Sequence, residues 1–179
     1  QKQHIEMTRD IALRFNHIYG ETFKIPEAHI SKDIPLLSGT DGRKMSKSYK
    51  NYIELFANEK ELQKSINKIV TDSLLPGEPK KTEDSVLFNY FKAFSSKEFL
   101  LEVEKMFLDG KGWGDLKKEL FNLVDKELKV YREKYYYYLD NPNEVEKILT
   151  EGENKVSVIA EKKLTEIRKK VGIRALDEK

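Results

Sequence analysis

The stretch "GTDGRKMSKSYKN", Gly39 to Asn51, divides the chain. Ahead of it lie a helix-patterned segment and a run of β-branched and aromatic residues broken by Pro26 and Pro35; behind it nearly every segment carries a helical period. The stretch itself has almost nothing apolar, so it reads as an exposed loop. Within it Lys44 and Lys47 stand three residues apart. Like charges held that close cost energy unless an anion comes between them, which points to a multiply charged ligand such as a triphosphate. A lysine is a compact, mobile cation that can follow phosphoryl oxygens as charge builds, with serine hydroxyls and backbone amides as neutral donors around it. Gly39 and Gly42 let such a loop close and reopen. The same charge pattern also describes an ordinary solvated loop.

Working outward, the 179 residues suffice for one domain or two small ones with a real core. At 39% hydrophobic and 36% charged, the composition is that of a globular protein with a densely charged surface. No apolar run approaches the roughly 20 residues that span a bilayer, and no charged-then-apolar signal opens the chain. With no cysteine there is neither a disulfide framework nor a thiolate metal site, in keeping with a reducing cytoplasm. His4, His17 and His29 are too far apart to pair on one helix, so no metal site is expected. The net charge of +2 excludes a polycation that grips nucleic acid through bulk electrostatics.

Ile5, Thr8, Ile11, Ala12, Phe15, Ile18 and Tyr19 predict an opening amphipathic helix stopped by Gly20; because it starts without methionine or a capping segment, the chain reads as cut from something longer. Residues 22–37 read as extended chain or a strand leading into the loop. Beyond the loop, Asn58 with Glu61 forms a capping box for a helix through Leu62, Ile66, Ile69 and Val70. Pro76 to Asp84 reads as a linker. Asp84 is the expected cap of a helix with Leu87, Tyr90, Phe91 and Phe94, and Ser95 with Glu98 that of one burying Phe99, Val103 and Phe107 and ending at Gly110. The longest helix is expected from Asp115 to Asp140, with Leu116, Leu120, Leu123, Val124, Leu128, Tyr131, Tyr135 and Tyr138 on its buried stripe. "NPNE" then starts a last helix, with a break at Gly152 and a stop at Gly172. The expected architecture is mainly α: residues 1–75 as the end of an α/β domain bearing the loop, and 76–179 as a helical bundle.

Lys44, Met45, Ser46, Lys47 and Ser48 match letter for letter the KMSKS signature of class I aminoacyl-tRNA synthetases. The flanks, "QKQHIEMTRDIALRFNHIYGETFKIPEAHI", "VTDS" (70–73), "GWGDLKKEL" (112–120) and "ILTEGENKVSVIAEKKLTEIRKKVG", resemble the tryptophanyl-tRNA synthetase family along nearly the whole chain. That resemblance implies a Rossmann-type catalytic domain that activates L-tryptophan with ATP and Mg2+ and transfers it to tRNA(Trp), a helical domain that reads the anticodon, and a homodimer. It implies that Lys44 and Lys47 hold the triphosphate, Lys47 in the transition state, and that Met45, Ser46 and Ser48 contact the nucleotide. Gln1 is placed by it at the ribose side, and Leu36 with Leu37 against adenine.

The family also uses a HIGH-type sequence, and none of the three histidines here begins one. The glycine-rich first turn and the tryptophan pocket are missing as well, so the chain resembles a C-terminal portion and is expected to be inactive alone. A tyrosyl-tRNA synthetase relative and a non-catalytic tRNA-binding paralogue are the competing readings.

Other basic and aromatic features have plainer explanations beside the functional ones. Tyr136 and Tyr137 are candidates for stacking on RNA bases once the other tyrosines are assigned to the core. Lys117 and Lys118, inside a family-like stretch, are candidates for tRNA phosphates. Lys80, Lys81 and the run Arg168 to Lys170 read as solvated faces, and Trp113 as a turn residue whose ring packs on the bundle.

Overall fold

The computed structural model describes residues 2–30 and 37–173. Among the described residues six helices run α1 (Lys2–Tyr19), α2 (Glu59–Asn67), α3 (Val86–Phe94), α4 (Lys97–Leu108), α5 (Trp113–Asp140) and α6 (Pro142–Lys170). Among the described residues there is no strand. Residues 22–30 are irregular, and the strand-like pairing in the expected region is a single antiparallel bridge between Ser38 and Lys44, the rim of the loop itself. The chain is thus mainly helical, as composition and periodicity predict.

Packing divides the chain into two compact units, one made by α1, its trailing segment and α6, the other holding the loop and α2–α5 up to Asp140. The linker-like Pro76–Asp84 lies inside the second unit rather than between the two.

The core belongs to the second unit. Leu62 and Ile66 of α2, Leu87, Phe88, Tyr90 and Phe91 of α3, Val103 and Phe107 of α4, and Leu116, Leu120 and Val124 of α5 are all buried in one cluster. Phe107 is its aromatic centre, edge-on to Phe88 (5.4 Å between centroids) and to Trp113 (5.6 Å), geometries that suit the ring quadrupole. Trp113 opens α5 and ties it down by an Nε1–H bond to Asp72 Oδ1 (3.0 Å).

The α2 cap is the expected one: Asn58 Oδ1 accepts from Glu61 N at 3.0 Å. Asn58→Ala should therefore cost about 1 kcal/mol in urea unfolding, and a loss below a few tenths would show the cap to be idle. The next two caps lie one residue later than expected. Ser85, not Asp84, accepts from Phe88 N, and Ser96, not Ser95, accepts from Phe99 N. Asp84 has a left-handed φ of 60°, and Ser95 is the C-cap of α3, so neither residue is free to start a helix.

Three further expectations fail for one geometric reason. Tyr131, Tyr135 and Tyr138 are 55, 39 and 38% exposed, not core. At about 1.5 Å per residue, the 28 residues of α5 extend far beyond what helices of 9, 9 and 12 residues can cover. The stripe is buried to Leu128, and beyond it Arg132 is buried instead, paired with Asp125 at 2.8 Å.

In the other unit, α6 is the longest helix, passes Gly152 unbroken and buries none of its residues; α1 buries only Ala12. The two helices are tied through the turn after α1, where Asn16 Oδ1 accepts from Thr22 N and Phe23 N, Lys163 donates to the Thr22 carbonyl (2.9 Å), and Lys170 donates to Glu21 O and Thr22 Oγ1 (both 2.7 Å). Lys170 is therefore a tether rather than a solvated charge.

Candidate active site

The lysine loop is built on a fixed base. Its rim closes through Gly39 N to Arg43 O (2.7 Å), Gly42 N to Gly39 O (2.9 Å) and Thr40 N to Asn51 O (2.8 Å). Gly42 has φ +81°, a conformation that side chains resist, so the tight turn needs glycine there. The base is fastened to its neighbours: Val70 N donates to Thr40 O (2.8 Å), and the buried Tyr90 of α3 donates its hydroxyl to Ser38 O (2.9 Å). Burial, and after it the charge of Asp41, raises the Tyr90 phenol to about 12, so it remains a donor.

Inside the turn, Asp41 accepts from Arg43 N (3.0 Å) and Nε (2.8 Å) and from Asn51 Nδ2 (2.7 Å). The Asn51 amide first, and Arg43 after it, lower the Asp41 carboxyl to about 2 against the opposing effect of burial. It is ionised throughout the neutral range, and this arrangement would fail only on strong acidification.

Lys44 and Lys47 are exposed, and neither has a carboxylate partner among the described residues. Lys47, Met45 and Ser46 line a cavity of about 670 Å³ together with Glu54 and a mostly apolar set that includes Leu37, Ile53, Phe94, Val124 and Leu128. Ser46 Oγ accepts from Ser48 N (3.2 Å), holding the two serines of the signature in one turn. An exposed cation on the lining of a mostly apolar hollow suits a ligand with a charged end and a flat apolar body.

Gln1 and Leu36 lie outside the described residues. Of the residues expected at RNA, Lys118, Tyr136 and Tyr137 are exposed on α5. Lys117 is half-buried, and its ammonium is bound to Asn67 O (2.9 Å). Burial lowers its pKa, and a lysine already capping the end of α2 is poorly placed for phosphate. Lys80, expected on a solvated face, is 1% exposed. Sequence reasoning also passed over the buried Asn51 and the half-buried Asp41; polar residues paired inside a polar loop leave no periodic signal.

Residues 1–129 match the family model of tRNA synthetases class I (W and Y). The chain is 48% identical over 176 residues to the tryptophan–tRNA ligase of Neisseria meningitidis, covering 98% of this chain and 52% of that protein. To the tryptophan–tRNA ligase of Pseudomonas aeruginosa it is 45% identical over 181 residues, 99% of this chain and 40% of that one. Among solved structures, tryptophanyl-tRNA synthetase from Campylobacter jejuni, complexed with ADP and tryptophan, superposes with a TM-score of 0.79 at 40% identity, over 97% of this chain and 55% of that one. The chain therefore spans about half the length of the relatives it matches.

Proposed function

Because the chain belongs to the class I tRNA synthetases of the tryptophan and tyrosine group, we propose that it is the loop-bearing and helical part of a tryptophan–tRNA ligase. The observation that carries this reading is the KMSKS turn, braced from behind and presenting two exposed lysines without a carboxylate partner among the described residues, within a chain 43–48% identical to ligases for tryptophan.

In the proposed reaction the carboxylate of L-tryptophan attacks the α-phosphorus of ATP, pyrophosphate leaves, and the aminoacyl group of the adenylate passes to tRNA(Trp). Charge moves toward the β- and γ-phosphates as the bond to the leaving group stretches. Lys47, supported by Lys44, meets that charge, which makes the loop a clamp that stabilises the transition state rather than a base or a nucleophile. Met45, Ser46 and Ser48 place backbone and hydroxyl groups beside the nucleotide, and Gln1 and Leu36 are proposed for its ribose and adenine. Mg2+ enters on the phosphate oxygens of ATP. The loop's own carboxylate, Asp41, is already taken by Arg43 and Asn51 and does not serve as a ligand.

Residues 1–75 are proposed as the end of the nucleotide-binding domain and 76–179 as the anticodon-binding domain, with Lys118, Tyr136 and Tyr137 as RNA contacts and Lys117 the weakest of the set. The complete enzyme is proposed to work as a homodimer in the cytoplasm; among the described residues no helix is long and apolar enough to cross a membrane. Lacking a HIGH-type sequence, the 179-residue chain by itself is expected to form no tryptophanyl-adenylate.

The deciding experiment is amino-acid-dependent exchange of pyrophosphate into ATP by the full-length protein. Exchange with tryptophan and not tyrosine is expected. Exchange with tyrosine alone would transfer the reading to the tyrosyl relative, and none with either, in a folded protein, would leave a tRNA-binding paralogue.

A further inference from the structure

Asn51 is 3% exposed, in a loop whose neighbouring lysines are open to solvent. Its side chain makes three bonds to three different parts of the turn: Nδ2 donates to Asp41 Oδ1 (2.7 Å) and to Lys44 O (3.2 Å), and Oδ1 accepts from Ser46 N (2.8 Å). Chemistry fixes this orientation, because a carboxylate and a carbonyl require the amine end while a backbone N–H requires the oxygen. Its own carbonyl accepts from Thr40 N (2.8 Å), so one residue holds both the rim and the interior.

Gly39 gives an independent observation. A Cβ built there would clash with the Asn51 amide, at Nδ2 and Cγ, and would lie 2.7 Å from the Asn51 carbonyl oxygen. The rim is bare where both the amide and the backbone of Asn51 approach it, although the Gly39 backbone itself would accept a side chain.

We propose that Asn51, seated against Gly39 and braced by Asp41, is the positioning residue that sets where Lys44 and Lys47 stand relative to phosphate. The proposal rests on the ligase reading above and adds a residue to it. Asn51 touches no substrate. It acts through the Lys44 carbonyl and the Ser46 amide, which flank Met45 and carry the backbone into Lys47, and through Asp41, which Arg43 holds from the other side. Cutting these bonds leaves both lysines in place chemically but on a turn free to shift by about 1 Å, a displacement that costs on the order of 100-fold in a reaction dependent on alignment.

The test uses the full-length ligase with Asn51→Ala, Asn51→Asp and Gly39→Ala, read two ways. In tryptophan-dependent pyrophosphate exchange, Asn51→Ala and Gly39→Ala should each lower kcat/KM for ATP about 100-fold while the KM for tryptophan stays within about twofold. A general loss of folded enzyme would lower the rate without separating the two substrates.

Asn51→Asp keeps the shape and the acceptor for Ser46 N but sets a second carboxylate against Asp41. Two such groups share a proton when the pH is low enough, and the shared proton restores one of the two missing donors, the one to Asp41. Its activity relative to wild type should therefore rise on acidification and fall as pH increases. Arg43, paired with Asp41, moves that transition to lower pH, and Tyr90 stays neutral throughout.

The second reading is limited trypsin cleavage after Arg43, Lys44, Lys47 and Lys50 without substrates, which Asn51→Ala should accelerate at least tenfold. Exchange by a folded Asn51→Ala enzyme within threefold of wild type, or an Asn51→Asp activity ratio flat with pH, would overturn the proposal. If the wild type itself shows no exchange, the ligase reading fails, and the trypsin arm still decides whether Asn51 holds the loop; unchanged cleavage would overturn that.

Discussion

Lys47→Ala in the full-length ligase is expected to slow tryptophan-dependent pyrophosphate exchange by about 10²–10³-fold, the range for removing one donor from a site of developing negative charge. The side chain is exposed and packs into no core, so its loss should leave stability within about 0.5 kcal/mol. The fall should lie mainly in kcat, because on the proposed function Lys47 meets a charge that is larger in the transition state than in bound ATP. Lys44→Ala should cost less: Lys47 shares the wall of the cavity with Met45 and Ser46, whereas what the structure holds fast of Lys44 is its backbone carbonyl. A Lys47→Ala enzyme within tenfold of wild type would remove the lysine from the chemistry and leave the loop as binding surface.

How much of this was legible beforehand divides by the range of the interaction involved. The Asn58 cap, the stops at Gly20, Gly110 and Gly172 and the buried stripe from Leu116 to Leu128 follow from local chemistry and helical period, and all stand in the structure. Where two adjacent residues could do the same work, as with Asp84 and Ser85 or Ser95 and Ser96, the sequence offers both, and the geometry of the preceding segment chooses. The three tyrosines of α5 continue the apolar period and yet are exposed, because the length of the neighbouring helices is not written into α5 itself. The site divides in the same way. The lysines are visible because they stand inside the KMSKS signature; Asn51 is not, because its partners become neighbours only when the turn closes.

Lys80 is the largest departure of the fold from a pattern reading, and it carries the second prediction. In "PGEPKK" it is indistinguishable from the exposed Lys81 beside it, but its ammonium donates to three carbonyls, Leu75 O (3.1 Å), Glu78 O (3.0 Å) and Gly110 O (3.3 Å), and lies 5.2 Å from the centre of the Trp113 ring. Its backbone N–H is also used, on Phe107 O (2.8 Å). One residue thus ties the segment after α2 to the turn between α4 and α5. Lys80→Met preserves the stem and most of the volume and removes only the charge and its donors. Leu75 O and Gly110 O each keep one backbone donor, from Glu78 N and Gly77 N, which leaves Glu78 O to lose its ammonium without such a replacement. Three lost charge-assisted bonds should together cost about 3 kcal/mol, a large share of the 5–15 kcal/mol that holds an ordinary domain. Urea unfolding of the 179-residue chain, followed by its single tryptophan, reads this directly, because Trp113 borders the site. A loss below 1 kcal/mol would mean that water replaces the ammonium at little cost, and that Lys80 is buried for the packing of its stem rather than for its charge.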